Sequence, residues 1–241
     1  MRNPIQAQIG LTDFQLLEQS RNHPAAAVML TSTNFSGTFR NDFCMQEMMY
    51  KEVRCNIIKN ANAVMLTASH YGFSHYGDLP VAIGYGRQFG DRISIALRGF
   101  YLMNHATHYP SRHSCTIDIS AFYQISAKSS LAITVYNPIR MKYEIVGECL
   151  IPMQFKLDFC YQSGDKLCAH IHVYKTIPGE LDIGAKLDYH PIKNLFLNLD
   201  CTSTHVGVGI HVPCRKFLFS VQTAWFYRIS ISPGCDIHFI L

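Results

Sequence analysis

The chain has 241 residues, of which 48% are hydrophobic and only 16% are charged, and its formal net charge is +4. An average soluble protein has a charged fraction of roughly 25%, so a broad charged surface is not what keeps this chain dispersed. No apolar stretch approaches the roughly 18 residues of a membrane-spanning helix, and Lys and Arg are scattered singly. These features exclude a helical membrane protein and predict no nucleic-acid partner.

The first 33 residues differ from the rest of the chain. Residues 12–19 allow a short helical turn or two, and no strand-like alternation precedes Asn34. The first ten residues contain no apolar core of a secretory signal peptide, so an exported chain would need a leader that they do not supply. We predict an N-terminal periplasmic or plug segment over 1–33 and a β-barrel over 34–241.

From Asn34 onward, runs of about ten residues alternate apolar and polar side chains and end in a turn. Successive side chains of a strand point to opposite faces, so each run has one apolar and one polar face. The pattern predicts fourteen strands, near 34–43, 51–58, 61–71, 78–88, 91–104, 112–125, 128–137, 150–163, 165–175, 179–190, 193–201, 204–212, 215–225 and 233–241.

The connections between these runs alternate between tight and long. Tight turns such as 59–60, 89–91 and 163–165 alternate with longer segments such as 104–113 and 138–148. Bacterial outer-membrane barrels have short periplasmic turns and longer outer loops. The fold class is therefore predicted to be an all-β, transmembrane antiparallel barrel in the bacterial outer membrane, in contact with outer-membrane lipid and with both termini on the periplasmic side.

Aromatic and cysteine residues on the apolar faces fit the same assignment. Tyr123, Tyr161, Tyr189 and Trp225 lie near strand ends, where a membrane barrel carries its aromatic girdles. The nine cysteines form no CxxC pair and their number is odd, which fits badly with a disulfide framework. Three of them, Cys115, Cys201 and Cys235, are interpreted as buried or lipid-facing apolar groups.

Charged residues on the polar faces are predicted to point into the lumen, since a charge that faces hydrocarbon costs about 2–4 kcal/mol at the membrane midplane. We interpret them mainly as lumenal ion pairs and solvated wall, with guidance of a ligand as the alternative. The set consists of Arg98, Asp118, Lys156, Asp158, Asp182, Lys186 and Asp188.

Two histidine groups suggest metal binding only weakly. Cys168, His170 and His172 share one face of a strand but span about 13 Å, too far to converge without help from elsewhere. His105, His108 and His113 fall in or beside a loop, where histidines are usually just solvated. We predict no metal site, no cofactor and no catalytic residue. Gly84 and Gly86 precede a strand rather than a helix, so they are interpreted as space on the inner wall and not as a phosphate loop.

Several segments resemble a known family. These are GYGRQFGDRISIALRGFYL, YNPIR, IPMQFKLDFCYQSGDKL, ELDIGAKLDYHPIKNLFLNL and SPGCDIHFIL. They resemble barrels related to PorV and PorQ of the type IX secretion system and, more distantly, the fourteen-stranded long-chain fatty-acid transporters. The resemblance covers about residues 21–241. It implies a hatch segment at Asn22, His23, Pro24 and Ala25, with His23 where the family usually has Asn.

The predicted function is a transport or secretion-accessory barrel and not an enzyme. It would pass small hydrophobic molecules or dock secreted proteins, with secretion-system components or a hydrophobic small molecule as partners. The alternative is a soluble β-barrel or sandwich that binds a ligand, with the apolar faces packed inside.

Overall fold

The computed structural model describes residues 10–143, 150–227 and 230–241. Two helices come first, α1 over Leu11–Asn22 and α2 over Pro24–Val28. Fourteen strands follow, with one short 3-10 turn at Asp42–Cys44. The strands are β1 Asn34–Asn41, β2 Met49–Lys59, β3 Asn62–Gly72, β4 Tyr76–Phe89, β5 Ile93–Ala106, β6 Arg112–Ser126, β7 Ser129–Tyr136, β8 Met153–Ser163, β9 Leu167–Ile177, β10 Leu181–Ile192, β11 Leu195–Thr202, β12 His205–Cys214, β13 Phe217–Phe226 and β14 Ile231–Ile240.

Each strand pairs antiparallel with its neighbours in the chain, and β1 pairs with β14 to close the barrel. Closure matters because an open sheet edge would leave backbone N–H and C=O groups without partners in lipid. The predicted fourteen-stranded antiparallel barrel is confirmed. The observed strands differ from the predicted ones mainly by a few residues at their ends.

The alternating faces of the strands form the outer and the inner wall of the barrel. In β4, Ile83 is 64% exposed on the outer wall, whereas Ala82 and Gly84 are buried on the inner wall. The soluble alternative predicts the reverse, with the apolar face enclosed. Cys115, Cys201 and Cys235 are all exposed.

The two ends of the barrel are defined by their connections. Six turns of two or three residues lie at one end, together with the start of β1 and the end of β14; we call it the short-turn end. The other end carries all the longer connections, including residues 42–48 and 107–111, beside three of two or three residues at 73–75, 178–180 and 203–204, and is called the long-loop end. Tyr123, Tyr161 and Tyr189 are exposed near the short-turn end, whereas Trp225 lies near the long-loop end.

The two helices are longer than the helical turn or two predicted at 12–19. Their position inside the barrel explains why the sequence pattern did not reveal them. Their side chains pack inside the barrel against polar as well as apolar wall residues. Gln15, Gln19 and Ser20 are buried there beside Phe14 and Leu17, so α1 carries no clean apolar stripe for sequence periodicity to reveal. None of the described helices is long and apolar enough to cross a membrane.

Candidate functional site: a helical segment inside the lumen and two cavities above it

Helix α1 enters the barrel at the short-turn end and is anchored by Phe14. The ring of Phe14 is fully buried and stacks on Phe196 of β11, with centroids 4.5 Å apart and planes at 13°. The ring of His211 on β12 packs against the edge of Phe14 at 4.8 Å. Offset stacking and edge contacts of this kind add about 0.5–1.5 kcal/mol to the burial of the ring itself.

Helix α2 runs against the opposite wall and is built from small residues. Ser94 Oγ donates to the carbonyl of Ala25 at 2.7 Å, and the Ala25 N–H donates to Ser120 Oγ at 3.3 Å. A Cβ on Gly86 of β4 would lie 2.4 Å from the Val28 side chain, so only glycine allows this close approach. Wall hydroxyl groups therefore satisfy the backbone N–H and C=O of Ala25 in this buried helix.

The bend between the helices places the predicted hatch residues deep in the lumen. His23 is fully buried and its Nδ1 lies 3.0 Å from Thr134 Oγ1. Asn22 donates through Nδ2 to the Tyr174 hydroxyl at 2.9 Å and accepts from Lys156 Nζ at 3.3 Å. Burial lowers the pKa of His23 to about 4, with Lys156 as one of the cations that add to the effect. His23 is therefore neutral at pH 7.

Ion pairs tie the upper part of α1 to the wall. Lys186 Nζ lies 3.2 Å from a Glu18 carboxylate oxygen, and Arg21 Nη2 lies 3.0 Å from Asp236 Oδ1. Burial alone would raise the pKa of Glu18, but Arg21 and Lys186 outweigh it and hold that pKa well below its usual range. A charged Glu18 thus bridges helix and wall.

The predicted lumen charges lie on the inner wall in small groups. Arg98 and Asp118 face each other across β5 and β6, with Arg98 Nε 3.0 Å from Asp118 Oδ2. The carboxylates of Asp158 and Asp188 lie on either side of the His170 ring, and Asp188 Oδ1 also lies 3.5 Å from Lys186 Nζ. Asp182 accepts a hydrogen bond from Ser203 Oγ at the long-loop end, and Lys156 contacts the bend as described above.

Above the helices the lumen contains two cavities that share Asn22. The polar cavity has about 430 Å³ and is lined by charged and polar side chains that include Glu18, Arg21, Asp158, His172, Asp182, Lys186 and Asp200. The apolar cavity has about 410 Å³; its walls include Pro80, Phe100, Leu102, Tyr136 and Ile151, and Arg98, Asp118 and Lys156 also line it. Phe100 and Tyr136 meet edge to face at 5.3 Å, and the Arg98 guanidinium lies 5.2 Å from the Phe100 ring centre.

The two histidine groups end in different places. Cys168 and His170 converge with Cys160 of the neighbouring strand, whereas His172 stacks on Tyr174. Sequence reasoning missed Cys160 because only the register between β8 and β9 brings it there. The histidines in or beside the loop do not converge. His113 stacks on Tyr101, and the ring centroids of His105 and His70 are 6.4 Å apart. His108 lies in the 107–111 connection.

Solved structures of the same fold include hydrocarbon channels. CymD, described as a monoaromatic hydrocarbon channel, aligns over 98% of this chain and 95% of its own, with a TM-score of 0.67 and 8% identity. The P. putida toluene transporter TodX aligns over 91% and 92%, with a TM-score of 0.65 and 8% identity. A Pseudomonas aeruginosa FadL homologue aligns over 90% and 91%, with a TM-score of 0.62 and 9% identity. No protein-family model and no curated protein matches the chain. The chain shares the fold of these channels, and at such identities the likeness extends to fold alone.

Proposed function

We propose that this chain is an outer-membrane barrel that admits small hydrophobic molecules from the long-loop end. The observation that carries the proposal is the apolar cavity of about 410 Å³ at the long-loop end of a barrel whose outer wall is apolar. Ligand sites are typically concave, largely apolar and supplied with a few polar groups, and this volume falls within their usual range. The descriptions of CymD and TodX as hydrocarbon channels support the same class of cargo.

Helices α1 and α2 act in this proposal as a plug. They fill the short-turn half of the lumen. Asn22 and the bend therefore block a straight path from the apolar cavity to the short-turn end. The 1–33 segment would then start on the periplasmic side, as the sequence predicts. Passage requires the plug to shift or the cargo to leave by another route.

Uptake of labelled toluene by Gram-negative cells that carry the barrel in their outer membrane tests the proposal. Leu102→Trp adds a large side chain to the cavity wall, and we expect it to reduce uptake at least tenfold. Leu97→Trp, on the outer wall of the same strand, is the matched control and should take up toluene like the parent chain. Equal uptake by cells with and without the parent barrel would overturn the proposal.

Docking of secreted proteins, which the resemblance to the PorV and PorQ barrels implies, stays a prediction. A cavity of about 410 Å³ is suited to a small molecule, whereas a protein partner would engage the long-loop rim. Two results together would favour the docking role. A secreted protein would co-purify equally well with the parent chain and with Leu102→Trp, and neither chain would support toluene uptake.

A further inference from the structure

We propose that Cys160, Cys168 and His170 form a binding site for a thiophilic divalent cation, with Zn²⁺ as its ligand, on the inner wall of the barrel. The inference is independent of the cargo. It rests on three side chains from two neighbouring strands that present their ligand atoms to one point.

The register of β8 and β9 creates the cluster. Cys160 lies directly opposite His170, and Cys168 precedes His170 by two residues, so all three side chains point to the lumenal face. The sulfur atoms of Cys160 and Cys168 are 2.8 Å apart, and Cys168 Sγ is 3.5 Å from His170 Nε2. All three ligand atoms lie within 4.8 Å of one another.

The donor set selects the class of metal. Thiolate sulfur and imidazole nitrogen are the ligands that proteins use for Zn²⁺, and alkaline-earth cations prefer oxygen. Asp188 Oδ2 lies 3.0 Å from His170 Nε2 and offers a fourth ligand. Cys160, Cys168, His170 and Asp188 are all buried, so a cation held there would be shielded from bulk water.

Asp158 positions the histidine for this role. Its Oδ1 atom lies 3.3 Å from His170 Nδ1 and accepts a hydrogen bond from a proton carried there, while His170 Nε2 lies 3.5 Å from Cys168 Sγ and 3.0 Å from Asp188 Oδ2. A bound cation would replace the proton that Nε2 shares with Asp188. A carboxylate behind the non-ligating nitrogen is the usual way in which proteins fix the tautomer and orientation of a metal-binding histidine.

Helix α1 covers the cluster from the lumen. Gln15 Oε1 lies 3.9 Å from Cys160 Sγ, and Gln15 is itself buried. A bound cation would therefore lie between the wall and the N-terminal segment, beneath the polar cavity rather than within the apolar one. This position is that of a structural site, since small-molecule passage has no need of it.

Metal binding is tested on the full-length, untagged chain, folded in detergent and reduced. Zn²⁺ is titrated against a chromophoric chelator, and Co²⁺ is used as a spectroscopic probe. We expect one Zn²⁺ per chain and thiolate-to-cobalt charge-transfer absorption, both lost in the double variant Cys160→Ser/Cys168→Ser. Asp158→Asn should keep the stoichiometry and weaken the affinity by about 10–100-fold.

Two matched controls separate this site from adventitious binding. His172→Ala removes the next lumenal histidine of the same strand, and Cys115→Ser/Cys235→Ser removes two outward thiols. Both should bind Zn²⁺ like the parent chain. An unchanged stoichiometry in the Cys160→Ser/Cys168→Ser variant would overturn the proposal.

A second measurement covers the case in which that double variant does not fold. In the parent chain, Zn²⁺ should slow alkylation of Cys160 and Cys168 but not of Cys115, as followed by peptide mass mapping. Equal alkylation rates with and without Zn²⁺ would overturn the proposal. So would a Cys160–Cys168 disulfide in chains isolated from the outer membrane without reductant, because disulfide sulfurs are no longer thiolate ligands.

Discussion

The short-turn half of the lumen is filled by helix, whereas the long-loop half is open. Cavities of about 90 and 30 Å³ lie around α1 at the short-turn end, against about 430 and 410 Å³ above the bend. The filled half has an apolar cluster that joins Phe14 and α2 to wall residues, whereas the open half contains the buried ion pair of Arg98 and Asp118 between β5 and β6. Substitutions should therefore have different costs in the two halves, namely lost packing in the first and an unpaired buried charge in the second.

The largest effect is expected from Phe14→Ala. Removal of a fully buried ring leaves a cavity in the filled half, and we expect a loss of about 3–5 kcal/mol in the free energy of unfolding. The loss is measured by urea titration of the barrel in lipid vesicles, together with protease cleavage of the N-terminal segment.

Phe100→Ala is the matched control in the open half. Its ring already borders a cavity of about 410 Å³, so we expect a loss of about 1 kcal/mol or less. Similar losses for the two phenylalanines would contradict the distinction between the halves.

Asp118→Asn is expected to have the next largest effect. It leaves the Arg98 guanidinium buried without its carboxylate, which costs about 3 kcal/mol for a buried pair. The double variant Arg98→Met/Asp118→Leu removes both charges and should regain most of that loss in the same urea titration. A single variant within 1 kcal/mol of the parent chain would mean that cavity water already solvates the pair.

The sequence predicts the strands and their faces well because lumen and outer surroundings differ so strongly. In β4, Ile83 and Tyr85 face outward and Gly84 and Gly86 face the lumen. A one-residue shift of the strand would place every side chain on the wrong face, so the alternation fixes which residues face the lumen. This parity suffices to place Arg98 and Asp118 on the same wall without knowledge of their register.

Contacts between the N-terminal helices and the wall could not be predicted in the same way. Phe14 meets Phe196 and His211 only after the barrel closes, and no local pattern in 10–22 specifies either partner. The convergence of Cys160 with Cys168 and His170 likewise depends on how two neighbouring strands align. Periodicity fixes the face of a side chain, and register together with closure fixes its neighbours.

A smaller, pH-dependent effect is expected at the boundary between the halves. The pKa of His23 is about 4 in the folded chain, below its unfolded value, so its contribution to stability is present above about pH 6.5 and is lost as the pH falls toward 4. We expect a loss of about 2 kcal/mol between pH 7 and pH 5, measured by urea titration at both values.

His23→Asn is the control for this pH dependence. Asn is polar and does not titrate. The variant should lose the part of the pH dependence that His23 contributes while keeping α1 and α2 in place at pH 7. A parent chain and variant with the same change in free energy between the two pH values would show that His23 is not the titrating group.

The smallest effect is expected at the rim of the open half. Arg40 and Asp42 form an ion pair with Nε and Oδ1 2.6 Å apart, but the Arg40 side chain is 45% exposed. Solvent screening and side-chain entropy leave such pairs worth about 0–1 kcal/mol. Arg40→Ala should therefore change the free energy of unfolding by less than 1 kcal/mol, and any change should shrink when the salt concentration is raised. A loss near that of Asp118→Asn would mean that this exposed pair stabilises the barrel as much as a buried pair does. The distinction between a packed half and an open half would then not hold at the long-loop rim.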